Sequence, residues 1–283
     1  MSSIVYLDAS VDGPDDVPAT LVHVVETTDD ESGEAYPAVE GAFTDPRDIE
    51  VPMLAQPVAD GQWVAAEGCC FKSHHRRPPL TLNGEDFLSQ TYAIDFLKVV
   101  DGKLWEGDDP KDLDAWYTYG QDALAVVDGT VSSILTDEDD VTPFEANPVP
   151  RNIDNVTGNH VIIDQGNGIY VVYAHLQPDS IVVAEGDEVK VGDKLALVGN
   201  SGNTDAPHLH IHVMDANHTI RANPIPFGFS SFELLGTYGD LDTLLPEPFG
   251  EVGPEEPELF DEPRQVTDEY PLELDFLEFS SGS

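Results

Sequence analysis

Three histidines stand at alternate positions in the run Pro207-His208-Leu209-His210-Ile211-His212-Val213, the part of the chain in which chemistry is most legible. Residues i, i+2 and i+4 of a β-strand share one face. The imidazoles would line one side of a half-buried strand, and Leu209, Ile211 and Val213 the other. Such a face predicts a metal site. A strand whose histidines are merely solvated is the competing reading, and it accounts for one imidazole more easily than for three behind a Gly/Asn/Ser/Pro turn.

Further donors lie upstream. Asp95 interrupts the apolar run Ala93-Ile94-Asp95-Phe96-Leu97, where a carboxylate is out of place unless it is paired or binds metal. His74-His75-Arg76-Arg77, closed by Pro78 and Pro79, reads as a rigid exposed loop. It is the one local concentration of basic and imidazole groups, with a surface patch of no special task as the alternative. His175 ends the apolar run from Gly168 to Leu176, where strand gives way to loop. His23, inside Leu21-Val-His-Val-Val25, reads as a packed or edge-strand histidine. Together His75, Asp95 and His210 offer two imidazoles and a carboxylate, and His175 and His208 two more imidazoles. Three protein ligands and an open position make a catalytic zinc arrangement. Zinc there brings the pKa of its water to about 7 and polarises a carbonyl, so amide hydrolysis becomes feasible. The two remaining imidazoles would bind a developing oxyanion and move a proton.

The elements that must position these groups are strands. Asn159–Asp164, Gly168–Leu176 and Ser180–Val189 are β-like runs with turn signals about every ten residues and no helical periodicity, which predicts an all-β sandwich or barrel. Gln121 to Ile134 reads as two strands about the Asp128-Gly129 turn, and 101–118 as a long polar insertion. Three regions follow: residues 1–60, a small β N-terminal region; 61–236, the main β domain; and 237–283, an acidic, proline-rich tail. Residues 240–279 hold fourteen acidic residues against one basic, so the tail should wrap the domain or stay mobile. Its last stretch, Tyr270 to Phe279, alternates apolar and acidic and should pair as an edge strand.

Composition narrows the partners. Fifty-five Asp and Glu against 12 Lys and Arg give a formal net charge of -43 on 283 residues. That field repels nucleic acid and anionic lipid surfaces, while 40% hydrophobic residues argue for a real core rather than disorder. Dense carboxylates and scarce lysine predict a halophilic, archaeal source, where salt screens the charge. The only cysteines, Cys69 and Cys70, are adjacent and read as ordinary thiols rather than a disulfide framework. The N-terminal residues lack the pattern of a signal peptide and no apolar run reaches 18 residues, so a cytoplasmic protein without a membrane span is expected.

The series Asp95, Ala125-Val-Val-Asp-Gly-Thr-Val131, Gly158-Asn-His-Val-Ile-Ile-Asp164, Val172-Tyr-Ala-His175-Leu176, the stretch from Glu185 to Gly202, and Pro207-His208-Leu-His210 resembles the lysostaphin/LytM-like zinc metallopeptidases, over roughly Ser73 to Asp215. The resemblance implies an antiparallel core of the duplicated hybrid motif type. It also implies Asp95 and His210 as zinc ligands, His175 and His208 as catalytic imidazoles, and as substrate a peptide or peptide-containing polymer such as a cell-wall cross-bridge. The family's first ligand falls here at Thr91, and threonine does not replace histidine. His74 or His75 would supply it from the loop, with His75 preferred because it directly precedes the arginine pair. His212 stands where many relatives carry Glu and reads as an outer partner of the site. A zinc endopeptidase or amidase is therefore expected, with a non-catalytic binding module on the same fold as the alternative. A biotinyl or lipoyl carrier, suggested by Glu185 to Asp193, lacks its attachment turn, since Lys194 sits in Gly-Asp-Lys-Leu.

Overall fold

A computed structural model describes residues 21–25, 39–44, 51–69, 75, 80–82, 84–145, 151–239, 244–245 and 256–280. His74, Arg76, Arg77 and Cys70 lie outside them. The chain divides into two compact units, Met1–Glu50 and Val51–Ser283. In the first, β1 (Leu21–Val25) pairs antiparallel with β2 (Val39–Thr44). The side chain of His23, on β1, is outside the described residues.

The second unit carries β3 (Met53–Leu54), β4 (Gly61–Ala65), β5 (Leu80–Leu82), β6 (Glu85–Phe87), β7 (Ile94–Lys98), β8 (Asp122–Leu124) and β9 (Gly129–Leu135). Then come β10 (Asn159–Gly166), β11 (Ile169–Leu176), β12 (Glu188–Val189), β13 (Lys194–Leu197) and β14 (Leu209–Met214). The last four are β15 (Gly228–Phe229), β16 (Phe232–Thr237), β17 (Glu258–Val266) and β18 (Asp275–Phe279). Ten of them form one antiparallel sheet in the order β12-β9-β10-β11-β14-β7-β4-β18-β16-β17. The all-β, antiparallel expectation thus agrees with the structure.

Local chemistry explains the central hairpin. β10 and β11 are joined by Asn167 and Gly168, both at positive φ (56° and 77°), the conformation in which an Asn-Gly pair matches strand twist. Val161 and Ile163 on β10, Val171 and Tyr173 on β11, and Leu209, Ile211 and Val213 on β14 then share one buried cluster. Ala123 of β8 and Leu195 and Ala196 of β13 join it from the two-stranded sheet β8–β13, which packs on the same core. Each such aliphatic or aromatic side chain contributes about 1.5–3 kcal/mol of burial.

Four expectations need revision. β8 and β9 flank Asp128-Gly129 but do not pair with each other: β8 joins β13 and β9 joins β10 and β12. Local turn chemistry permits a hairpin there, and long-range packing overrides it. The 101–118 stretch is more than a polar insertion, because Leu104 and Trp116 are buried in a second cluster with Val64 and Leu97. A 3-10 turn over Leu113–Ala115, capped by the Asp112 carboxylate, delivers Trp116 to it. The final strand is interior rather than an edge, since β18 pairs with β4 on one side and β16 on the other. Phe276, Leu277 and Phe279 are its buried residues. Finally, Cys69 is disulfide-bonded rather than a thiol.

Candidate metal centre

Antiparallel pairing of β14 with β7 places His210 directly opposite Asp95, and on its other flank β11 sets Ala174 opposite His210. Leu209, Ile211 and Val213 face the main core, so His210 and His212 take the other face, as alternation requires. That face is not open to water. His210 is 1% and His212 0% exposed, so the strand is buried on both sides rather than half-buried.

His175 follows Ala174 at φ 60°, an uncommon conformation for a residue with a side chain. Its N–H donates to the Thr157 carbonyl (3.0 Å) and its carbonyl accepts from Gly199 N–H (3.0 Å), which hold the bend. The loop beneath is brought in by two glycines. A Cβ on Gly202 would stand 2.3 Å from the Gly158 nitrogen, so no other residue permits that backbone approach. Buried Asn159 and Ser201 brace the same junction: Asn159 N–H donates to Ser201 Oγ (2.9 Å), and Ser201 Oγ–H to the Leu176 carbonyl (2.8 Å).

The hydrogen bonds assign a tautomer to each imidazole, because a carbonyl oxygen only accepts. Nδ1–H donates to the Glu67 carbonyl in His75 (2.9 Å), to the Ser201 carbonyl in His175 (2.7 Å) and to the Ala206 carbonyl in His208 (2.7 Å). His212 Nε2–H donates to the Thr219 carbonyl (3.1 Å), which leaves its Nδ1 to accept from His210 Nε2–H (2.9 Å). Three of the four remaining nitrogens converge on Asp95. His210 Nδ1 is 2.9 Å from Oδ1, and His75 Nε2 and His208 Nε2 are 3.4 Å and 3.3 Å from Oδ2. Without a cation, lone pairs would there face a carboxylate.

The charge balance follows the same geometry. Burial favours a neutral Asp95, yet the imidazoles of His208, His75 and His210 hold its carboxyl well below the usual range. Burial also opposes charge on His75, but the Asp95 carboxylate beside it outweighs this and raises it to about 9. His210 is lowered to about 4 and His175 and His212 well below their ordinary value, chiefly by burial. A buried cluster with one carboxylate is thus built to hold positive charge, a proton or a metal ion.

Two donor sets have their ligating atoms within 4.8 Å of one another: His75, Asp95 and His210, and His175, His208 and His210. Nitrogen and oxygen ligands at 2.0–2.2 Å in a tetrahedron lie about 3.4 Å apart, so the spacings around Asp95 fit a zinc-sized ion with little movement. All five residues singled out in the sequence therefore meet, and Thr91 does not join them: its hydroxyl donates to the Leu88 carbonyl. Sequence reading missed Gln90, whose amide stands 3.4 Å from His210 Nε2, and the carbonyls of Glu67, Ser201, Ala206 and Thr219. Backbone acceptors carry no residue-type signal. The five side chains line a cavity of about 580 Å³ with Glu67, Leu80, Phe87, Val156 and Asp205.

Residues 111–222, which include His175, His208, His210 and His212, match peptidase family M23. The peptidoglycan DD-endopeptidase ShyB of Vibrio cholerae serotype O1 is 38% identical over 65 residues, 23% of this chain and 15% of that protein. ShyA of the same organism, also a peptidoglycan DD-endopeptidase, is 35% identical over 68 residues, 24% of this chain and 14% of that protein. The matches thus span about a seventh of these relatives' length. The catalytic domain of lysostaphin from Staphylococcus simulans aligns with 52% of this chain and 80% of its own at 20% identity, with a TM-score of 0.31. The family match and the two curated relatives together support a peptidase family M23 domain within this chain.

Proposed function

We propose that this protein is a zinc-dependent endopeptidase or amidase acting on a peptide-containing polymer. His75, Asp95 and His210 hold the metal, and His175 and His208 act on the substrate. The observation that carries this reading is the convergence on Asp95 of imidazole nitrogens whose opposite edges are tied to backbone carbonyls or, for His210, to His212. His75 replaces the histidine missing at Thr91, since its Nε2 reaches Asp95 at 3.4 Å. Bound zinc would supply a water of lowered pKa and a polarised carbonyl.

The chain's own groups divide the remaining work. His175 is kept neutral by burial and oriented by its bond to Ser201, so its Nε2 can take a proton from water. His208, tied to Ala206 through Nδ1–H, presents Nε2 to the same cavity and, once protonated there, can donate to an oxygen that gains charge. Asp95 stays ionised beside both. The net charge of -43 disfavours a polyanionic substrate, and relatives named as peptidoglycan endopeptidases support a peptide.

The test separates metal from hydrolysis. His75→Ala should lose zinc by elemental analysis. His175→Ala should keep near-stoichiometric zinc yet cleave peptides roughly a hundred-fold more slowly or worse. Zinc retained by His75→Ala refutes the ligand set, and zinc lost by His175→Ala moves that residue among the ligands. A zinc-loaded wild type that cleaves nothing from a peptide library in high salt favours a binding module.

A further inference from the structure

The excursion between His75 and Asp95 does more than carry a ligand. Its hairpin β5–β6 sets Leu80 directly opposite Phe87, so the two side chains share a face. Both pack, only partly buried, against Ile153, Val156 and Ile220, which are buried. Leu80, Phe87 and Val156 also line the cavity that holds Asp95, His175, His208 and His210. An apolar wall thus stands in the same cavity as the proposed chemistry.

We propose, building on the peptidase reading, that this wall is a specificity subsite for a bulky apolar residue beside the scissile bond, with Leu80 and Phe87 as its determinants. Apolar surface facing a water-filled cavity gains most from an apolar occupant. A glycine leaves the wall unfilled, and an alanine methyl covers little of it. Charge points the same way. Among the described lining residues the cavity holds Glu67, Asp95 and Asp205 but no Lys or Arg, so an acidic neighbour to the cleaved bond is disfavoured. The substrate class is therefore a neutral or basic peptide with a leucine- or phenylalanine-sized side chain next to the bond, rather than a glycine-only bridge or an acidic stem.

The experiment uses the full, zinc-loaded chain in 3 M KCl. Peptides with Gly, Ala, Leu, Phe or Glu on either side of one bond are compared by mass-spectrometric cleavage rates. Reduced-amide versions of the same peptides are compared by calorimetric affinity. Leu or Phe should exceed Gly roughly tenfold or more in both series, the scale set by filling an apolar pocket. Phe87→Ala and Leu80→Ala, each compared when saturated with zinc, should each shrink that preference to about threefold or less. A flat or Gly-favouring series, no binding by any peptide, or a preference intact in both variants overturns the subsite. Apolar preference in binding without cleavage or zinc keeps the subsite and defeats the peptidase reading; cleavage that favours Gly-Gly does the reverse.

Discussion

Replacing His212 with phenylalanine should weaken zinc binding by roughly ten- to a hundred-fold although His212 touches no metal in the proposed site. The chain of bonds explains why. Thr219 O accepts from His212 Nε2–H at 3.1 Å, so His212 Nδ1 accepts from His210 Nε2–H at 2.9 Å, which leaves His210 Nδ1 bare at 2.9 Å from Asp95. Phenylalanine removes the acceptor. His210 then gains by moving its proton to Nδ1 and donating to the carboxylate, a charged hydrogen bond of about 1.5–3 kcal/mol. Zinc must break that bond to reach Nδ1, and at about 1.4 kcal/mol per factor of ten the loss is again roughly ten- to a hundred-fold. Glutamine at 212 can accept from His210 through its oxygen and donate to Thr219 through its amide, so His212→Gln should stay within about threefold of wild type. Competition against a chromophoric chelator in 3 M KCl gives the affinities, and circular dichroism checks the fold. Wild-type affinity in His212→Phe, or equal losses in Phe and Gln, refutes the relay.

The fold should depend on salt, because a charge of -43 repels itself over a Debye length of about 30 Å at 0.01 M but only about 3 Å at 1 M; an unchanged melting temperature after dialysis to dilute buffer counts against this. Leu277→Ala should cost about 2–5 kcal/mol in denaturant unfolding, as for any core leucine, since Leu277 sits between Trp63 and Leu234 on adjacent strands. A mobile tail would give a change near zero. Asp140 accepts from Asn200 N–H and Tyr119 O–H, yet burial raises its pKa above 3.8, so the folded state binds this proton more tightly than the unfolded. Its contribution to stability is present at low pH and lost as pH rises from 3.8 through the raised value. Asp140→Asn should therefore gain on wild type across that window, and a difference independent of pH contradicts the argument.

Strand content was legible because Asn159–Asp164, Gly168–Leu176 and Leu209–Val213 combine β-branched runs with turn residues, and local preference and tertiary structure agree there. The histidine face was legible for the same reason, since alternation depends on the backbone alone. Register was not. That Asp95 stands opposite His210 depends on β7 pairing with β14 across the intervening strands β8 to β13, and nothing local encodes it. The acidic tail misled because its described carboxylates are exposed or half-buried while Phe276, Leu277 and Phe279 are buried. Composition averages the two faces of a strand, whereas burial chooses between them. β8 misled in the opposite way: a good turn signal at Asp128-Gly129 was overruled by packing against β13.

In the proposed site, moving one ligand off the position of Thr91 changes more than the metal's address. In the family pattern two ligands four residues apart share one short segment, whereas His75 and Asp95 are separated by a hairpin. The hairpin must be held down for His75 to stay within reach of Asp95, since a ligand on a free loop loses affinity to the entropy of ordering it. Leu80 and Phe87 provide that hold by packing on Ile153, Val156 and Ile220, and the Glu67 carbonyl fixes the imidazole itself. The contacts that secure the ligand are thus those that form the cavity's apolar wall. Metal affinity and substrate preference become coupled properties of one segment. A double-mutant cycle between Phe87→Ala and His75→Ala should therefore show non-additive zinc affinity, by about 0.5 kcal/mol or more, although Phe87 is no ligand. Strict additivity would mean that the hairpin and the metal site are independent.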